Sequence, residues 1–187
     1  MKTKSLPGLQ SAVGKHQSSI SLRGGGVMYK KILVPLDGSE LAEKVLPHVT
    51  ALAKASGAEV TLATVVQFTV GAMGAKLEAM PEAVAERKAA LRVEALIYLE
   101  KVQRDLKGKG VTAHCAALEG DVASQIIAFA EQKGFDLLAM ATHGRTGIDR
   151  FVMGSIAEKV VRGTMKPVLL VRSLVARQVP WAEAQIA

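Results

Sequence analysis

The sequence is poor in several things, and each shortage excludes something. It has one cysteine, Cys115, in 187 residues. That rules out an internal disulfide and a cysteine-based metal site, and it fits a reducing, cytosolic compartment. Aromatic residues are only 4% of the chain, with a single Trp181. A nucleic-acid stacking platform needs exposed rings, so that function is not expected. No apolar run approaches the length of a membrane span. The opening residues lack the apolar centre of a signal peptide. There is no G-x-x-x-x-G-K-[ST] phosphate loop, no G-x-G-x-x-G after the first strand, and no G-x-S-x-G nucleophile elbow.

What is present is an apolar fraction of 49%, enough for one sizeable core built from Val, Ile, Leu, Ala and Met. The net charge is +7, but Lys2, Lys4, Lys15 and Arg23 supply +4 of it within residues 1–27, where there is no acid. The remaining +3 is ordinary and is weak support for nucleic acid. Residues 1–27 show no sustained period. They read as a disordered basic tail, or as translated upstream sequence with Met28 the true start. Residues 173–187 read as a weakly patterned C-terminal tail.

Between the tails, short β-branched runs alternate with helical periods. The strands read as Lys30–Asp37, Glu59–Val66, "VTAHCAALEG", "FDLLAMA" and "PVLLVR". The first helix runs from an N-cap at Ser39 to a stop at Gly57, with Pro47 expected to bend it or loosen one hydrogen bond. After the second strand, "QFTVGAMGAKLEAM" reads as a mobile connection. A long helix then starts at Pro81, with Val84, Leu91, Ala95, Tyr98, Val102 and Leu106 as its apolar stripe. Asp121 caps a third helix, and "SIAEKVVRG" is the fourth. Five strands alternating with four helices imply βαβ units and a parallel sheet in a single domain, residues 28–172.

Ligands in such sheets bind beyond the C-terminal strand ends, where the winding reverses. The first and fourth strands should be neighbours there. Asp37 ends the first. It could bond a ribose hydroxyl or approach a metal on a phosphate, or it could only shape the turn with Gly38. The fourth strand opens "MATHGRTGIDRFVMGS", in which Gly144 and Gly147 permit inward-facing N–H groups. Gly154-Ser155 opens a helix whose dipole and unpaired N–H groups suit an anion. The Ser155 hydroxyl could bond phosphate, cap the helix, or both. Arg145 and Arg150 could screen phosphate charge. His143 is a donor or base, or a simple loop residue. Asp136 begins a strand, at the end opposite the site, and Cys115 reads as inert core mid-strand.

"MYKKILVPLDGSELAEKVLPHV" and "DLLAMATHGRTGIDRFVMGSIAEKVVRGTMKPVLLVR" closely resemble the universal stress protein family, over about Met28 to Arg172. Nucleotide-binding members carry G-x2-G-x9-G-[ST]. Here the string is Ala141-x2-Gly144-x9-Gly154-Ser155, with Ala in place of the first glycine. The resemblance implies an α/β, doubly wound open five-stranded parallel sheet in order 3-2-1-4-5, adenine nucleotide alpha hydrolase-like, with two helices on each face. It implies a cytoplasmic homodimer that binds ATP, with Mg held through the phosphates and Asp37 as a candidate ligand. Carried over by position, Pro35, Leu36 and Asp37 would approach adenine and ribose, and Val65 would meet adenine through its backbone. Met140, Ala141, His143, Gly144 and Arg145 would line ribose and phosphates, and Gly154, Ser155 and Ile156 would hold the phosphates. Val168, Leu169, Leu170 and Val171 would form the dimer seam. The implied role is regulatory, in stress response, through nucleotide-dependent conformation or partner contacts, with ATP hydrolysis slow at most. Two alternatives stand beside it. One is a dimeric interaction module of the same family without nucleotide. The other is an enzyme cleaving ATP between its α and β phosphates, disfavoured because "PLDGSE" lacks that class's paired glycines. If residue 141 needed a positive φ, Ala would be strained by roughly 1–2 kcal/mol; at negative φ it would be nearly free.

Overall fold

The fold was analysed in a computed structural model, which describes residues 29–68, 80–142 and 153–172. Both tails, the middle of the connection after the second strand, and His143, Gly144, Arg145, Gly147 and Arg150 lie outside the described residues.

Five strands form one parallel sheet: β1 (Lys31–Pro35), β2 (Glu59–Val66), β3 (Ala113–Glu119), β4 (Leu137–Ala141) and β5 (Val168–Val171), in the order β3-β2-β1-β4-β5. This is the expected 3-2-1-4-5 order. The helices are α1 (Glu40–Glu43), α2 (Leu46–Ser56), α3 (Pro81–Gly108), α4 (Val122–Gln132) and α5 (Ser155–Gly163). They cover both faces, as the near-continuous apolar runs of β1 and β4 require. On one face, α1, α2 and α3 bury Val45, Val49, Leu99, Val102 and Leu106 against Ile32, Val34, Val60 and Leu62. On the other, α4 and α5 bury Ala123, Ile126, Ala157 and Val160 against Leu33, Leu138 and Met140. Each fully buried Leu, Ile or Val adds about 1.5–3 kcal/mol relative to exposure. All five residues of β4 are buried.

Local chemistry sets the element ends. The Ser39 hydroxyl accepts the Ala42 N–H at 3.1 Å, and Gly57 closes α2 in the left-handed conformation at φ 67°. Pro47 does more than bend the helix between them. It has no N–H to reach Glu43, so the chain divides into α1 and α2 and Pro47 falls in the opening turn of α2. Asp121 caps α4 by accepting the Ser124 N–H at 3.0 Å and the Ser124 hydroxyl at 2.6 Å. Those bonds hold its carboxyl below the usual aspartate value, the hydroxyl contributing most. At Gly163 a Cβ would come within 2.7 Å of Ile127 Cδ1, so a glycine lets α5 lie close on α4.

Asp136 works at the N-terminal end of the strands. Its carboxylate accepts the Lys30 N–H at 2.7 Å and the Lys31 N–H at 3.1 Å, and its own N–H donates to the Lys31 carbonyl at 3.1 Å. It fastens the start of β4 to the start of β1. Cys115 is half-buried in β3, and burial pushes its thiol up.

Candidate functional site at the C-terminal strand ends

The strand order reverses between β1 and β4, and the ladder joining them is short. It covers only Ile32↔Leu137 and Leu33↔Leu138, whereas β1 pairs with β2 along all five of its residues. Proline explains the stop. Backbone groups of successive strand residues point alternately to the two neighbours. The Leu36 N–H donates to the Ala63 carbonyl of β2 at 2.8 Å, so residue 35 faces β4. Pro35 has no N–H to give, and the ladder cannot continue. Beyond this point each strand is held by its outer neighbour. Leu36 stays with β2, and its carbonyl accepts the Thr64 hydroxyl at 3.0 Å. The second half of β4 stays with β5, and the Thr142 N–H donates to the Val171 carbonyl at 2.9 Å. With no ladder between them here, β1 and β4 part at the reversal, and in open α/β sheets the crevice at such a point is where ligands bind.

Carrying the register forward from Leu33↔Leu138 sets Leu36 level with Ala141 and Asp37 level with Thr142. The Thr142 carbonyl accepts the Gly154 N–H at 2.9 Å. One residue therefore links the rim bearing Asp37 to the start of α5. Leu36, Met140 and Ala141 are buried at this rim, and Pro35, Asp37, Val65, Gly154 and Ile156 are half-buried. Val65 packs its side chain with the α4–α5 face.

The structure sharpens four of the site positions. Asp37 Oδ1 accepts the Ser39 N–H at 3.0 Å and the Ser39 hydroxyl at 2.7 Å, beside Gly38 at φ 82°. The turn-shaping role of Asp37 is therefore present. Ser155 does not cap α5: the N-cap is Gly154, no side-chain cap bond exists, and the Ser155 side chain is exposed in the first turn. The first intrahelical bond runs from the Glu158 N–H to the Gly154 carbonyl, so the N–H groups of Ser155, Ile156 and Ala157 precede the helical ladder. Gly154 has φ −56° and ψ 143°, a conformation open to any residue. Backbone geometry does not require glycine there. Ala141 is the last residue of β4, paired with Val171 in extended backbone. Its methyl costs no conformational strain.

Sequence reasoning passed over the backbone role of Pro35. Its signal was a proline closing a central strand, a place where proline is normally excluded. At the opposite end of the sheet, Lys31, Glu59, Thr61, Phe129, Lys133 and Phe135 line a shallow recess, away from the reversal. Among the described residues, no cluster of three or more His, Cys, Asp or Glu could hold a metal ion. No described helix is long and apolar enough to cross a membrane.

Fold and crevice define an open, doubly wound α/β protein with its strand-order reversal beside an uncapped helix start. The chain belongs to the universal stress protein family, whose model matches residues 28–172. It is 37% identical over 151 residues to universal stress protein MJ0531 of Methanocaldococcus jannaschii, spanning 81% of this chain and 86% of that protein. The solved structure of MJ0577 from the same organism is 33% identical with a TM-score of 0.70, covering 80% of this chain and all of that one. Two more distant structures share the fold. One is a universal stress protein in complex with cAMP (20% identical, TM-score 0.56, 79% of this chain and 100% of that one). The other is from Archaeoglobus fulgidus in complex with dAMP (18%, 0.54, 77% and 98%).

Proposed function

We propose that this chain binds ATP in the β1–β4 crevice and acts as a regulatory stress protein through nucleotide-dependent conformation or partner contacts. One observation carries the reading. The crevice opened by Pro35 leads, through the Thr142–Gly154 hydrogen bond, to a helix start with no side-chain cap. A polyphosphate suits such a start, because the leading N–H groups and the dipole both favour anions. Relatives of this fold in complex with cAMP and dAMP support an adenine nucleotide as the ligand class.

In this reading Pro35, Leu36 and Asp37 lie along adenine and ribose, and Val65 meets adenine through its backbone. Met140, Ala141, His143, Gly144 and Arg145 line ribose and phosphates. Gly154, Ser155 and Ile156 take the phosphates. Mg2+ prefers one or two carboxylates plus phosphate oxygens. Asp37 fits as a single carboxylate beside a phosphate-held ion, although one of its oxygens is engaged with Ser39. No efficient catalysis is assigned: hydrolysis needs a positioned water and a base, and the reading extends only to slow turnover. The second copy of a homodimer pairs along β5, an edge strand with the uncharged sequence Val-Leu-Leu-Val. A cytoplasmic location completes the proposal.

The test is direct. Purified full-length protein is denatured, and released small molecules are identified by mass. ATP or another adenine nucleotide is expected, as is a rise in melting temperature when ATP is added to stripped protein. If the purified protein releases no adenine nucleotide and the stripped protein does not respond to added ATP, the reading moves to a dimeric interaction module.

A further inference from the structure

Helix α3 is longer than the sheet it covers. Its 28 residues span about 42 Å, against about 26 Å for the eight residues of β2. Its fully packed residues, Leu99, Val102 and Leu106, all lie in its second half, and Val84, Leu91, Ala95 and Tyr98 on the same stripe are only half-buried. The face half a turn away, pointing from the core, carries Glu86, Ala90, Val93, Ile97, Glu100 and Arg104. These positions are spaced alternately four and three residues apart, the spacing of a two-helix seam. All six are exposed, Val93 at 55% and Ile97 at 63%. A lone exposed apolar side chain needs no explanation. Val93 and Ile97 stack one turn apart with Ala90 beside them, on the face that should be the most polar of a surface helix.

The charges say what covers this face. The seam starts with an acid, Glu86, and ends with a base, Arg104. A parallel copy would set Glu86 on Glu86, Glu100 on Glu100 and Arg104 on Arg104. An antiparallel copy, with its two-fold axis level with Ala95, sets Val93 against Ile97, Glu86 against Arg104 and Ala90 against Glu100. No like charges then face each other along the seam. We propose that two copies of this chain associate antiparallel through the outer faces of α3. The contact lies over β2 and β3, on the far side of the sheet from β5, so it is independent of the nucleotide reading and of pairing along β5. With three apolar residues per helix, the contact is weak and concentration-dependent.

Sedimentation equilibrium of the full chain over a wide concentration range tests this. Ile97→Glu sits on an exposed position, leaves the fold intact by circular dichroism, and removes the α3-dependent step. Glu86→Arg and Arg104→Glu each weaken that step about tenfold, since two symmetric ion pairs become repulsive. The double variant restores it to within about threefold, and that restoration is specific to an antiparallel pair. The proposal is overturned if Ile97→Glu leaves self-association unchanged, if no such step exists in the native chain, or if the double swap fails to restore what the single changes lost.

Discussion

Two helices leave the same end of the sheet and pack side by side on the same face, yet they begin differently. Helix α4 opens on Asp121, whose carboxylate takes both the N–H and the hydroxyl of Ser124. Helix α5 opens on Gly154, which has no side chain to do this. Both starts carry the same partial positive charge and the same surplus of N–H groups. The first is satisfied by its own cap residue, and the second has no cap bond from its N-cap residue. What the difference teaches is that capping alone does not separate them; their place does, since α5 starts beside the strand-order reversal, where the proposed ligand would sit.

Making the two starts alike should give the largest effect. Gly154→Asp installs the α4 arrangement on α5. ATP affinity by calorimetry should fall at least about a hundredfold, because a carboxylate would face the phosphates. Stability should hold or rise by about 1 kcal/mol from the new cap, read as a higher Tm of ligand-free protein. Loss of affinity with a stable fold supports the phosphate site, and unchanged affinity removes it.

Ser155→Ala separates ligand contact from capping. The hydroxyl makes no cap bond, so Tm of the free protein should not move. ATP binding should weaken roughly tenfold for one lost hydrogen bond to a charged group. A fall in Tm without a change in affinity would restore the capping role.

Asp121→Ala should do the opposite, lowering Tm while leaving ATP affinity unchanged. Its pH dependence follows from the lowered carboxyl pKa. A group depressed on folding stabilises above its unfolded value and loses that contribution as pH falls through the folded value. The Tm gap between native and variant protein should therefore be full at neutral pH, and should close as pH drops below 3.8 toward the lowered value. A gap that persists in strong acid would show that the cap does not act through the carboxylate.

Ala141→Gly should change binding little, within about twofold. Restoring the family's glycine removes a methyl from extended backbone, and a strand glycine costs roughly 0.5–1 kcal/mol in stability. A large gain in affinity would mean that the methyl crowds the ligand.

Much of this fold was legible in the sequence, because local signals agreed with one another. Pro81 and Asp121 start helices where expected, Gly57 ends one, and the fully apolar "LLAMA" of β4 is covered on both faces. Length relations were not legible. The stripe on α3 is continuous in sequence, but the shorter sheet buries only its second half. Nor was the division at Pro47 legible, since the same proline can bend a helix or end one depending on what the freed carbonyl meets. At the site, the glycine spacing pointed to the end of β4, beside the place where its ladder to β1 stops. What the string could not show is which neighbour residue 35 faces. That depends on register, and it decides whether proline merely closes a strand or opens a crevice. The assignments of His143, Gly144 and Arg145 fall outside the described residues.

Asp136 and Pro35 act on the same pair of strands at opposite ends. One fastens β1 to β4 through two amides, and the other prevents their joining further along. The pair is thus a fork, joined at its root and divided at its tines, each tine bonded to its outer neighbour instead. Two residues so far apart in sequence set one shape: a carboxylate that supplies a strand's missing partner at one end, and a ring that withholds one at the other.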